Sequence, residues 1–514
     1  MEGIAFDRAA QLAHVQARRE PWDMAIIGGG ATGAGVAVDA ASRGYSVVLI
    51  EQSDFGKGTS SRSTKLVHGG VRYLARGNIS LVMDALDERD LLLRNAPHLV
   101  RDLPLIVPAY AWWERPYYGS GLKIYDLLAG LSPFGRSRLL SRSATLARVP
   151  TIRAEGLRGA VEYHDGQFDD ARLLVNLIQT AVAQGAAALN YLRAEALMTG
   201  TSGRIDGVAA RDVESGEELS IPARIVVNAT GAFVDNIRRM SRLDAEPIIA
   251  PSQGIHLVFD RSFMPGSTAI LVPRTPDGRV LFAIPWLDHT LIGTTDTPID
   301  EPSLEPAPLD EEIDFVLATA ARYLEKPPQR SDVLSVFAGI RPLVRAGDTK
   351  TTAAMSRDHT LRINRAGLVT TTGGKWTTYR RMAEETVNLA VKSAGLPQRK
   401  CVTRKLSILG ADDAANINAL ARAEPALGER LHDALPCTGA HVVWGVRHEM
   451  ARTVEDVLAR RCRALFLNAK AAMAMAPRTA ALMARELGRD ETWQRREVES
   501  FAALARNYVV GRGS

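Results

Sequence analysis

Six polar residues of this 514-residue chain have no evident place in an apolar core: Arg72, Tyr73, His256, Arg341, Arg357 and Lys375. Each lies close behind a glycine or at the edge of a strand-like run. Four are cationic. A guanidinium pairs with phosphate or carboxylate oxygens through two parallel hydrogen bonds, so such a set fits an anionic substrate. Histidine is the one member whose ordinary pKa suits proton transfer near neutral pH. Taken singly, each also fits a surface cation or a satisfied core histidine. Spacing alone does not bring them together.

The elements that must position these residues begin with Met24, Ala25, Ile26 and Ile27, an apolar run ending in glycines at 28, 30 and 33. A helix is expected over 34–43, stopped by Gly44, then a strand over 45–50 ending at Glu51. This is a dinucleotide fingerprint. Gly28 makes the turn, Gly30 lets backbone approach a pyrophosphate, Gly33 lets helix and sheet pack, and Glu51 accepts from a ribose hydroxyl. The helix N-terminus offers its N–H groups to phosphate. An NAD enzyme would continue alternating strands and helices here. A polar loop over 54–63 instead implies a longer cofactor still to be held, as FAD requires.

Further along, helices are expected over 79–95 and behind Asp169, which reads as an N-cap. A strand follows over 187–196, then a hairpin over 208–221 turning at Ser215 and Gly216. A strand over 224–231 ends in Ala229, Thr230 and Gly231, small enough to pass beside a cofactor. Short β-rich runs between 250 and 300 read as antiparallel sheet. Arg341 is expected at the end of a strand over 336–343, and Gly373 and Gly374 at the entry to a helix reaching Lys392. Beyond Gly395, Ala-, Leu- and Arg-rich segments should be broken at Pro425, Pro436 and Pro477. The expected architecture is an α/β FAD-binding Rossmann-like domain (20–105, 160–240 and 335–392), an α+β antiparallel-sheet substrate or cap domain (106–159 and 241–334) and a C-terminal all-helical domain (396–514).

Composition narrows the class. With 46% apolar and 24% charged residues the chain is neither disordered nor fibrous. Cys401, Cys437 and Cys462 fit no disulfide framework, iron–sulfur pattern or zinc site, so no metal is expected. No run of 18 uncharged apolar residues exists to span a bilayer, and the N-terminus lacks the shape of a secretory signal. A net charge of +5 is too mild to imply nucleic acid. Its distribution says more. Seven basic residues face one acid over 115–153, directly after Tyr110, Trp112 and Trp113. Thirteen face eight over 441–514. Aromatics beside cations suit a membrane surface, and the C-terminal stretch is a second candidate surface. The plain alternative is a solvated basic face over packed aromatics.

With these motifs in view, the sequence resembles the FAD-dependent glycerol-3-phosphate dehydrogenases of the aerobic respiratory type. The resemblance runs from the glycine turn through Ser60–Leu74, Asp169–Leu173, Asn228–Gly231, Ile292–Asp296, Gly339–Leu343 and Gly373–Arg380 to a tail over 453–466. It implies cofactor contacts from Gly28, Gly30, Ala31, Thr32, Gly33 and Glu51, and from Thr59, Ser60, Ser63, Lys65, Leu66, His68, Gly69 and Gly70. It implies others from Ala229, Thr230 and Gly231, and from Gly374, Lys375, Trp376 and Thr377. Arg72, Tyr73, Arg341 and Arg357 are its implied substrate-binding residues, and His256, Arg341 and Lys375 its catalytic ones. One departure is that Gln253 stands before Gly254 where relatives commonly carry a lysine or arginine.

The implied reaction is oxidation of sn-glycerol 3-phosphate to dihydroxyacetone phosphate, with hydride passing to FAD and electrons on to a quinone. FAD is expected to be non-covalent, since no histidine or cysteine lies in a recognisable flavin-linkage segment. The resemblance also implies a cytoplasmic protein peripherally attached to the inner face of the cytoplasmic membrane, with a homodimer as its assembly. Rival readings are a glycerol-3-phosphate oxidase using oxygen, an amine or amino-acid oxidase on the same scaffold and, more remotely, a flavin-binding interaction protein.

Overall fold

The computed structural model describes residues 6–74, 77–275, 278–345 and 359–511. The apolar runs Met24–Ile27 and Val47–Ile50 are buried along their whole length, as strands covered on both faces must be. They sit centrally in a six-stranded sheet, side by side and parallel. Val226–Asn228 pairs parallel to Met24–Ile27, Ala187–Leu189 parallel to Val47–Ile50, and the hairpin His359–Ile363/Val369–Gly373 closes one edge. The helix Ala31–Ser42 returns the chain across this sheet, beginning three residues earlier than its sequence pattern implies. The strand expected over 187–196 is broken at Tyr191, whose φ of 53° turns the chain out of the sheet into Leu192–Thr199.

A ten-stranded sheet forms the second half. Its spine is Ile249–Asp260, paired antiparallel with Val333–Val344 on one side and His289–Gly293 on the other. Val100–Ala109 and Gly159–Phe168 also belong to it. We propose that sheet membership, rather than the boundaries 20–105, 160–240 and 335–392, divides the two halves, since 100–109, 159–168 and 333–344 all pair in the larger sheet.

Asp169 caps the helix Asp170–Ala183 as expected, accepting from Ala171 and Arg172 N–H. The C-terminal part is mainly helical, with a short hairpin, Arg430–His432/Leu435–Thr438, at Pro436. The expected break at Pro477 does not occur: it lies inside the helix Ala469–Leu487. A proline there forfeits one helix bond and costs about 3 kcal/mol. Burial of Ala472, Met475, Ala476, Ala480 and Met483 on the same helix offsets that.

Candidate active site

One cleft is lined by residues of both large sheets. At one end lies the glycine turn. Gly28 has a φ of +111°, and a Cβ there would come within 2.7 Å of the Ala229 carbonyl oxygen. The helix Ala31–Ser42 starts from Gly30, which has no side chain to cap it, so its first-turn N–H groups other than that of Ala31 are left for an anion. Glu51 accepts from Gly29 N–H (2.7 Å) and Ser53 N–H (3.0 Å). Burial pushes its carboxyl up to about 7, which those two bonds only partly offset.

The loop behind Glu51 forms one wall. Ser60 Oγ accepts from Ala31 N–H (2.9 Å), Gly56 N–H donates to the Gly29 carbonyl (3.1 Å), and Trp376 Nε1 donates to the Ser60 carbonyl (2.8 Å). The Gly374–Thr377 turn is thereby tied to the glycine turn. Flanked by glycines and lined at a helix N-terminus, this groove has the donor set that FAD requires.

His256, Arg341, Lys375 and Tyr73 line the same cleft. Along Ile249–Asp260, Gly254 and His256 line the cleft, whereas Ile255 and Leu257 enter the core behind it. Gln253 shares that far side, donating to Glu312 Oε2 (2.8 Å) and the Ala307 carbonyl (2.9 Å). The departure at this position therefore falls behind the site. Burial, with Lys65 and Arg341 nearby, holds the His256 imidazole well below 6.5 and so neutral. Its Nε2 is 3.0 Å from Thr64 Oγ1, and its ring stacks on Phe337 with centroids 5.1 Å apart.

Arg341 lies within Val333–Val344, three residues before its end. It crosses Gly254, where a Cβ would be 2.4 Å from its Nη2. The guanidinium donates to the Thr295 carbonyl (2.8 Å), Thr294 Oγ1 (3.0 Å) and Asp296 Oδ1 (3.3 Å). Asp296 also accepts from Ser252 Oγ and lies 3.8 Å from Arg279 Nε. Lys375 Nζ sits 4.0 Å from the centre of the Tyr73 ring.

The cleft gathers all but four of the described residues assigned by resemblance. Gly33 lies behind the turn, where a Cβ would meet the Gly28 oxygen at 1.8 Å. Gly69 packs on Tyr125, whose Oη accepts its N–H at 2.9 Å. Lys65 is turned away and fully buried, paired with Asp170 at 2.6 Å. The resemblance implies a cofactor contact from Lys65, and only the fold reveals its buried carboxylate partner. Arg357 lies outside the described residues, as does the side chain of Arg72, whose backbone belongs to the short helix Val71–Leu74. Arg279 and Thr64 line the cleft without having been singled out. Asp296 also lines it, and its place directly after Thr294 and Thr295 was the available signal.

The chain matches the model of the "FAD dependent oxidoreductase" family over residues 23–380 and that of the "C-terminal domain of alpha-glycerophosphate oxidase" over 412–494. It is 42% identical to a probable mitochondrial glycerol-3-phosphate dehydrogenase of Caenorhabditis elegans, covering 93% of this chain and 72% of that one. It is 41% identical to the mitochondrial glycerol-3-phosphate dehydrogenase of Arabidopsis thaliana, covering 93% and 85%. Among solved structures, the glycerol-3-phosphate dehydrogenase of Bacillus halodurans complexed with FAD superposes with a TM-score of 0.78 at 29% identity, covering 99% and 98%.

Proposed function

We infer the chemistry from one premise: this chain belongs to the family of FAD-dependent glycerol-3-phosphate dehydrogenases. It oxidises sn-glycerol 3-phosphate, and FAD is its cofactor. The observation that carries the assignment of residues is the convergence of His256, Arg341 and Lys375 in the cleft that begins at the glycine turn.

The turn at Gly28, Gly30 and the N-terminus of Ala31–Ser42 would hold the pyrophosphate, and Glu51 the ribose. Gly374, Lys375 and Trp376 would flank the ring system. Bound there, FAD supplies the acceptor for the hydride leaving C2 of the substrate. His256, kept neutral, takes the hydroxyl proton, either directly on Nε2 or through the Thr64 hydroxyl beside it. Arg341, fixed by the 294–296 turn, opposes the charge that develops on the C2 oxygen or pairs with the phosphate. Lys375 adds a second cation, and Arg279 a third at the Asp296 side. Asp296 orients both arginines without neutralising the pocket. His256→Asn should slow anaerobic flavin bleaching by about 10²–10⁴-fold while glycerol 3-phosphate still binds. Bleaching within threefold of wild type would remove His256 from the role of base.

The electron acceptor we assign is a quinone, reached at the inner face of the cytoplasmic membrane. No helix among the described residues is long and apolar enough to cross a bilayer. What supports surface attachment is the helix Glu114–Ala129. It buries Leu122 and Tyr125 inward. Outward it presents Tyr117, Ile124 and Leu127, continued by Leu131, which is 99% exposed. Trp112 and Trp113 precede it, exposed, and the exposed Arg136 and Arg142 follow. A helix apolar on both faces beside surface cations fits an interfacial position. Stopped-flow reoxidation separates the acceptors: a short-chain quinone should outpace oxygen, and the reverse order would make the chain an oxidase.

A further inference from the structure

Outside the cleft, a cluster of buried charge joins the tail segment 449–463 to the loop behind Glu51. Arg460, Arg461 and Arg463 are 2–4% exposed. Arg461 holds Asp54 with both terminal nitrogens (2.7 and 2.8 Å), and Arg460 Nε reaches the same carboxylate. Glu455 pairs with Lys57 at 2.6 Å. Arg463 donates to the Ser61 carbonyl (2.9 Å) and to Asp170 Oδ1 (3.2 Å). Asp170 in turn accepts from Ser63 Oγ (2.7 Å) and Lys65 Nζ (2.6 Å). Burial alone would raise the Asp54 carboxyl, but Arg461 and Arg460 bring it down to about 2, so it is charged.

The tail thus grips residues 54, 57 and 61 of a loop whose only regular element is the 3₁₀ turn Thr59–Ser61. Ser60, in that turn, is the residue that reaches Ala31 N–H at the head of the dinucleotide helix. The arginines are themselves fixed: Arg460 also pairs with Glu455 (2.7 Å) and Asp456 (2.8 Å), and Arg461 donates to the Glu449 carbonyl (2.7 Å). Arg463 adopts a left-handed backbone, φ 63°, an unusual conformation for a non-glycine residue.

We propose that Arg460, Arg461 and Arg463 are positioning residues for FAD: the tail holds the 54–65 loop in its cofactor-binding shape. The inference rests on the reading of this cleft as the FAD site. A wall ordered beforehand spares the cofactor the cost of ordering it, so loss of the grip weakens binding even where the fold survives. The rival account is that these pairs only fasten one part of the chain to another.

The test uses the full-length protein, stripped of flavin and titrated with FAD, in two variants that lie outside the cleft: Arg461→Lys, which keeps the charge and loses the fork, and the milder Glu455→Gln. Flavin fluorescence reads the Kd, apoprotein thermal denaturation reads the fold, and brief trypsin treatment reads the loop through cleavage after Lys57, Arg62 and Lys65. Arg461→Lys should raise the FAD Kd about tenfold or more, the loss of one charge-assisted bond. Glu455→Gln should raise it severalfold. In both, loop cleavage should quicken while the apoprotein midpoint stays near wild type. FAD affinity within twofold of wild type in Glu455→Gln, or weakened binding without faster loop cleavage, overturns the proposal. Glu455→Gln decides alone should Arg461→Lys fail to fold. Gly30→Leu serves as control. Its side chain would fill the turn, so undiminished FAD binding there would refute the cofactor reading rather than the grip.

Discussion

The stretch 110–153 and the tail 441–511 look alike as sequence, each with a basic surplus and scattered aromatics, yet the tail buries three of its arginines where 110–153 buries none. In the first, Arg136 and Arg142 face solvent beside Trp112, Trp113 and Leu131. In the second, Arg460, Arg461 and Arg463 are buried against buried carboxylates, and Phe466 packs on Phe337, the ring stacked against His256. The acids make the difference. Over 115–153 one acid accompanies seven cations, and five of the seven stay exposed, Arg138 among them although it reaches the buried Glu162. In the tail, Glu449, Glu455 and Asp456 are interleaved, and Asp54 and Asp170 arrive from distant segments. A basic surplus counted in sequence therefore says little about surface until its partners are placed.

The comparison is broken most directly at Arg463. Arg463→Met takes from buried Asp170 one of its two cationic partners and leaves the Ser61 and Ala459 carbonyls without that donor, and should cost about 3–5 kcal/mol in chemical denaturation. Arg142→Met should leave the same transition unmoved. Equal effects would erase the distinction between the two regions.

Next in size is the pocket. Arg341→Ala should lower kcat/KM for glycerol 3-phosphate about 10- to 150-fold, the worth of one charge-assisted contact. A rise in KM alone would place the guanidinium on the phosphate, and a fall in kcat on the C2 oxygen. Unchanged constants would put it outside the site.

A smaller effect is expected at the outward helix. Leu127→Glu with Leu131→Glu should reduce sedimentation with anionic vesicles about tenfold or more, while activity with a soluble dye acceptor holds. Arg136→Glu with Arg142→Glu should weaken sedimentation at low salt only, at about 1 kcal/mol per charge. Arg138 is a poor choice, since it pairs with the buried Glu162 at 2.6 Å. Sedimentation indifferent to all four changes would move attachment elsewhere.

The smallest effect is one of pH. The His256 imidazole is neutral in the fold, while the unfolded chain binds a proton below about 6.5. Its contribution to stability is therefore present above 6.5 and lost as pH falls below it. The reductive half-reaction should likewise run flat from pH 8 to 6.5, with its acid limb lower. A limb at or above 6.5 would mean that the imidazole titrates normally.

Local features were legible in sequence. Gly28, Gly30, Gly33 and Glu51 are set by a single strand–turn–helix–strand unit, and Asp169 caps the helix it was expected to cap. Placing His256 and Arg341 together needed the family resemblance, because their strands pair across 85 residues of chain. What stayed hidden was every partner supplied from afar: Asp170 for Lys65, Asp54 for Arg461, Glu312 for Gln253. Pro477 misled for the same reason, since burial along its helix outweighs a local preference that composition does show.

The central claim is that this cleft oxidises glycerol 3-phosphate with FAD, and anaerobic titration tests it most directly. Adding sn-glycerol 3-phosphate to the holoenzyme without oxygen or dye should bleach the oxidised-flavin absorbance, with dihydroxyacetone phosphate formed one for one with flavin reduced. Glycerol and amino acids should leave the spectrum unchanged. A flavin that stays oxidised with glycerol 3-phosphate, or that bleaches as readily with an amino acid, would contradict the account.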